Sequence, residues 1–186
     1  MSRVLLVRHG RATAGWDVDP DPGLDDLGRE QAEAMAASVA ELGPLRLISS
    51  PLRRCRETAS ALERRWDTDA RIEPRVAEIP SPEGIAMADR VDWLREAMRG
   101  DWAPLGSRYT EYRDAAVQAI RELALADGDT VVCSHFVAIN AIIGGVTDDD
   151  RVLIRSLDNC SITVVEAVDG VLRLVEGGSE ADTLIR

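Results

Sequence analysis

Short apolar runs alternate with helical stripes along this chain. Val4-Leu5-Leu6-Val7 is a continuous apolar run, so Arg3 to Arg8 predicts a strand buried on both faces. The Gly/Pro/Asp stretch from Gly15 to Gly23 follows as a loop. Asp25 or Asp26 then caps a helix running to about Leu42, with Leu27, Gln31, Met35, Val39 and Leu42 on one face and Gly43-Pro44 ending it. Leu45 to Ser49 predicts a second buried strand. Ser50-Pro51 reads as the next helix start, with serine as N-cap and proline in the first helical position. That helix runs to about Arg65 over a stripe of Leu52, Cys55, Ala59 and Leu62.

A weaker extended piece covers Arg71 to Glu78. Pro80-Ser81-Pro82 opens a small insert, about 79–106, in which Met87, Val91, Leu94 and Met98 have helical spacing. Trp93, Trp102 and Pro104 add apolar bulk there, and the tryptophans read as packing anchors. A helix from Ser107 to Ala126 carries Tyr112, Ala116, Ile120 and Leu123. The strand Thr130 to Ser134 and a short helix from Phe136 to about Ile143 come next. Ser161 to Glu166 and Val171 to Val175 form a terminal pair joined at Asp169-Gly170, and about ten polar residues follow. Strands alternating with helices predict a three-layer α/β/α sandwich: a mostly parallel sheet with helices on both faces, in a single domain spanning 1–186.

Composition narrows the function. The chain has 186 residues and a net charge of −11, which argues against nucleic-acid or anionic-membrane binding. No apolar run reaches the roughly 20 residues of a membrane span, and Arg8 interrupts the early one, so no signal peptide is expected and the chain is placed in the cytoplasm. Cys55, Cys133 and Cys160 lack CxxC pairing and read as small buried residues. Asp148-Asp149-Asp150 reads as a charged turn and not a metal site. All 22 basic residues are arginine, and Arg8, Arg11, Arg53, Arg54 and Arg56 fall near the candidate chemistry, with Arg56 the most surface-like.

The chain's only histidines, His9 and His135, each follow a buried strand, and Arg53 and Arg54 open the helix after another. Ligands of such sheets bind beyond the carboxyl ends of the strands, so these residues converge on one edge. The chemistry suits phosphoryl transfer. Arginine forks hold peripheral phosphoryl oxygens, a helix start adds free amides, and a neutral imidazole can attack phosphorus. The leaving oxygen needs a proton, for which Glu78 is best placed and Glu83 is the fallback. Periodicity does not separate Arg53 from Arg54.

Arg8-His9-Gly10 resembles the RHG signature of the histidine phosphatase superfamily, the phosphoglycerate mutase-like group. The segment from Ser50 to Ala59 resembles its SPLxRAxxTA motif, Leu24 to Ala32 its LTxxGxxQA helix start, and Val132 to His135 its second-histidine strand end. The resemblance implies a phosphoglycerate mutase-like fold with His9 as nucleophile, Arg8, Arg54 and His135 completing the phosphate pocket, and Glu78 as acid. Thr13, Arg53, Arg11 and Phe136 are the candidate substrate contacts. Arg11 stands where the family often has glutamate, and Cys55 where it usually has alanine.

The resemblance implies a phosphomonoester hydrolase working through phosphohistidine on a small phosphorylated metabolite, with no metal or cofactor. A mutase-like isomerase, a protein phosphohistidine phosphatase and a phospho-ligand binding module are the alternatives. Only 56 residues separate Glu78 from His135, and so short a lid favours water as acceptor. Partners are the small phosphorylated substrate or inorganic phosphate, and homodimerisation stays open.

Overall fold

The computed structural model describes residues 2–181; Met1 and 182–186, the end of the expected polar tail, lie outside the described residues. In chain order the elements are β1 (Arg3–Arg8), α1 (Asp26–Val39), β2 (Arg46–Ser49), α2 (Arg53–Trp66), β3 (Arg71–Ile72), α3 (Arg90–Ala97), α4 (Trp102–Leu105), α5 (Ser107–Leu125), β4 (Thr130–Ser134), α6 (Phe136–Thr147), β5 (Ile162–Val168) and β6 (Val171–Glu176). The strands form one six-stranded sheet in the order β3-β2-β4-β1-β5-β6. The first four in that order run parallel, and β5 and β6 add antiparallel pairings at one side.

Alternation along each strand divides the core into two layers. Val4, Leu6, Ile48 and Val132 face α5 and α6, where Ala116, Ile120, Ile139 and Ile142 are buried. Leu5, Val7, Leu47, Val131 and Cys133 face the other way, onto Ala32, Met35 and Val39 of α1 and Cys55, Ala59 and Leu62 of α2. This is the expected α/β architecture with a mixed, mainly parallel sheet. Cys55 and Cys133 are buried, Cys160 is half-buried, and all three are free thiols.

Local details differ from the pattern in the sequence. Leu27 and Leu42 of the expected α1 stripe are 40% and 48% exposed; the buried face is Gly28, Ala32, Met35, Ala36 and Val39. Small residues are needed there because the turn after β1 crosses the helix start. A Cβ on Gly28 would overlap the carbonyl oxygen of Arg11, and one on Gly10 would overlap that of Gly28. Gly28→Ala is therefore expected to lower stability by about 1–3 kcal/mol, seen as a reduced denaturation midpoint at unchanged m-value. The extended piece shortens to β3 and then tightens into a 3₁₀ turn, Pro74–Val76, since Pro74 has no N–H for a ladder and its φ suits a helical start.

The register aligns the strand ends that matter. Arg8 pairs with Ser134 across β1 and β4, and Ser49 pairs with Cys133 across β2 and β4. The chain leaves all three strands at one level: His9 N–H donates to Ser134 O at 3.0 Å, and Ser50 N–H to Cys133 O at 3.0 Å. Residues 79–106 contribute a 3₁₀ turn, α3 and α4. Trp102 is fully buried, while Trp93 packs between Trp16 and Tyr109, with ring centroids at 6.4 and 5.6 Å.

Candidate active site

His9 and His135 emerge from adjacent parallel strands with ring centroids 5.3 Å apart. Arg8, His9, Arg54 and Glu78 line one cavity of about 250 Å³, whose other walls come from the loop after β1, from α3 and from the start of α6. The convergence that strand-end placement predicts is thus present.

The His9 ring is oriented from both sides. Nδ1 lies 2.8 Å from the Gly10 carbonyl oxygen, which can only accept, so Nδ1 carries the proton. Nε2 then keeps its lone pair, and Arg54 Nε donates to it at 3.1 Å. Burial, followed by the nearby charges of Arg54 and Arg8, holds the imidazole well below its usual pKa. A neutral imidazole with a directed Nε2 lone pair is the nucleophilic form.

Arg54 is buried, and its Nη1 has no hydrogen-bond partner among the described residues. A buried guanidinium nitrogen left without an acceptor is costly unless an anion supplies one. Arg8 donates from Nη1 to the Leu157 carbonyl at 2.5 Å and lies 4.8 Å from the Phe136 ring centroid. Burial pulls its pKa down to about 10, which leaves it charged at neutral pH.

Glu78 sits at the cavity wall, where its carboxylate accepts from the N–H groups of Ile79 at 3.0 Å and Val137 at 3.5 Å. Burial raises its pKa, against the opposing pull of Arg54. That is the direction required of a proton donor. His135 is fully buried behind this surface and does not itself line the cavity. Its Nε2 is 2.7 Å from Ser50 Oγ and 3.2 Å from Cys55 Sγ. Burial and then Arg54 hold it well below the usual histidine pKa. Ser50 is consequently a partner of His135 and not the expected N-cap: Leu52 takes the cap position and α2 begins at Arg53.

Of the remaining candidates, Thr13, Arg11 and Phe136 line the cavity. Arg53 does not; its exposed side chain pairs with Glu57 at 2.7 Å, one turn along α2. Helical geometry thus separates neighbours that periodicity leaves equivalent, with Arg54 turned inward and Arg53 outward. Glu83 also lies outside, 91% exposed and 3.4 Å from Arg108. Asn159, Thr58 and Trp16 carry more than the sequence suggests. Asn159 Nδ2 donates to the His9 carbonyl at 2.9 Å, whereas its sequence context shows only a formal glycosylation triplet. Thr58 Oγ1 accepts from Gly10 N–H at 3.0 Å and donates to Arg54 O at 2.7 Å, tying the nucleophile's loop to α2. Its place in the SPLxRAxxTA-like segment is the signal for it. Trp16 is a cavity wall. Among the described residues no group of His, Cys, Asp and Glu has the arrangement of a metal site, and no helix is long and apolar enough to cross a membrane.

Fold and site define an α/β protein whose sheet edge holds a buried histidine–arginine pocket. The chain belongs to the histidine phosphatase superfamily, branch 1, whose profile matches residues 4–178. It is 28% identical over 186 residues to the glucosyl-3-phosphoglycerate phosphatase of Mycolicibacterium vanbaalenii, covering 86% of this chain and 81% of that one. It is 27% identical to the probable phosphoglycerate mutase GpmB of Escherichia fergusonii, covering 89% and 85%. In fold it resembles a mycobacterial glucosyl-3-phosphoglycerate phosphatase solved with VO3, with a TM-score of 0.79, 22% identity and coverage of 97% and 100%.

Proposed function

We propose that the chain is a phosphoric monoester hydrolase that works through phosphohistidine at His9 on a small phosphorylated metabolite. The carrying observation is Arg54: Nε directs the His9 lone pair, while Nη1 is buried without an acceptor among the described residues. Family membership and the phosphatase among the relatives fit this reading.

The steps follow from the geometry. His9 Nε2 attacks phosphorus, the bond from phosphorus to the ester oxygen breaks, and Glu78 gives its proton to the departing alkoxide. Positive charge arising on the imidazole is eased by the Gly10 carbonyl at Nδ1–H. Arg8 and Arg54 hold the phosphoryl oxygens, with His135 behind them. Water then attacks phosphorus and yields its proton to the Glu78 carboxylate; the phosphorus–nitrogen bond breaks, and inorganic phosphate and neutral His9 are restored. Residues 79–106 act as a small lid. The arginines supply the charge neutralisation, so turnover is expected to survive EDTA unchanged, measured as phosphate release. A cytoplasmic location accords with this role.

The acceptor is tested with ¹⁸O-water and a panel of phosphomonoesters that includes 3-phosphoglycerate. Hydrolysis gives inorganic phosphate carrying one new ¹⁸O, and an acid-labile phosphoryl group on the His9 peptide in quenched samples. Isomerisation without phosphate release would establish the mutase reading. Binding with neither product would establish a binding module. Arg54→Lys keeps the charge but loses the Nε donor and the fork, and is expected to lower kcat/KM about 10²–10³-fold in steady-state assays.

A further inference from the structure

Besides the groups that bear on His9, the cavity is walled by Trp16 and Pro22 from the loop and Leu94 from α3, whereas Phe136 and Val137 of α6 stand against Arg8 and Glu78. Trp16 is held in place by the insert, with Trp93 at 6.4 Å between centroids and the Arg90 guanidinium carbon 5.8 Å from its ring. The indole is therefore a braced surface and not a loose loop side chain.

Charge is distributed unevenly. The cations at the cavity are Arg8, Arg11 and Arg54. Arg8 and Arg54 both bear on His9 and belong to the phosphoryl end. Arg11 Nε is bound at 2.5 Å by Asp25 Oδ2, while Oδ1 of the same carboxylate caps α1 through Gly28 N–H at 2.7 Å. The charge of Arg11 is thus offset by a carboxylate that the helix start holds still. Arg90 is not among the lining residues. The polar groups left are Thr13 and Asn159, whose amide nitrogen is already given to the His9 carbonyl. A second anionic group on the substrate would meet only Arg11, in competition with the Asp25 carboxylate that already binds it.

Resting on the phosphatase reading, we propose that the preferred substrates are phosphomonoesters whose leaving alcohol is uncharged and presents an apolar or aromatic face, with Trp16 and Leu94 as specificity-determining residues. This departs from the substrate named for the phosphatase relative, glucosyl-3-phosphoglycerate, whose carboxylate and sugar hydroxyls need polar partners. At about 250 Å³ the cavity lies just below the usual range of roughly 300–1,000 Å³, so a single ring or short alkyl group fits better than a disaccharide-sized one.

The test compares 2-phenylethyl phosphate, glycerol 3-phosphate and 3-phosphoglycerate, all esters of weakly acidic alcohols, by kcat/KM for phosphate release. The aromatic ester is expected to exceed glycerol 3-phosphate by about tenfold or more, and 3-phosphoglycerate to be no better than glycerol 3-phosphate. In Trp16→Ala the ratio of the aromatic ester to glycerol 3-phosphate is expected to fall about tenfold, and Leu94→Ala gives the same direction through a different element. Equal rates on the three esters, a preference for 3-phosphoglycerate, or variants that lower all three alike would overturn the specificity proposal and leave the hydrolase standing. No phosphate release from any ester by the intact protein would remove both.

Discussion

Replacing His9 with alanine is expected to lower kcat/KM for phosphomonoester hydrolysis by about 10⁴-fold or more. The Nε2 lone pair of His9 is directed by Arg54 Nε and is free of a proton by virtue of the Gly10 contact at Nδ1. Without it, direct attack by water is left. The fold should survive. His9 makes its ring contacts at the cavity wall, while the strand register is carried by backbone pairs such as Val7 with Cys133. Phosphate release and the thermal midpoint, measured together, separate lost chemistry from lost structure. The variant should also keep its affinity for inorganic phosphate, because Arg8 and Arg54 remain. Substantial turnover in the folded variant would end the assignment of His9 as nucleophile.

Glu78→Gln is expected to cost about 10²–10⁴-fold in kcat on alkyl phosphates, because glutamine cannot protonate the departing alkoxide. An ester with a good leaving group sets the control. Phosphorylation of His9 by 4-nitrophenyl phosphate, read as the burst of 4-nitrophenolate, should fall by no more than about tenfold, since that anion leaves without a proton. An equal loss in both assays would exclude Glu78 as the acid. The pH profile follows from the same pair. His9 must be neutral, and burial with two neighbouring arginines places its pKa well below the usual histidine value, so the acid limb is displaced downward. Glu78 must be protonated, and burial raises its pKa, so activity falls as pH rises through that raised value. The optimum is expected between these two limbs, and the alkaline limb should vanish in Glu78→Gln.

The strands and the convergence of His9, His135 and Arg54 are legible because buried parallel strands are short apolar runs whose ends are marked by the first polar residue. The helix starts are less so. Ser50-Pro51 has the composition of a cap, but the Ser50 hydroxyl is taken by His135, 85 residues away in sequence. Besides the expected Met35 and Val39, the buried face of α1 is carried by Gly28, Ala32 and Ala36, which hydrophobic periodicity underweights against Leu27; the crossing of the turn at Gly10 explains the glycine. Arg53 and Arg54 separate through a single helical step, which turns Arg54 to the cavity and Arg53 to Glu57. Asn159 was out of reach: its partner is a backbone carbonyl, which leaves no mark in the side-chain pattern.

The placement of β1 also bears on how the protein comes into being. The strand that delivers the nucleophile is made first, yet its neighbours on either side are β4 and β5, and the carbonyl that binds Arg8 belongs to Leu157. Pairings of this sequence separation close late and carry a large loop-closure cost. During synthesis, therefore, His9 exists for most of the chain's elongation as an ordinary solvated histidine with an ordinary basicity. The reactive imidazole is a property acquired only when the far end of the chain has been drawn back beside the beginning, so that completion of folding and onset of chemistry coincide in one event.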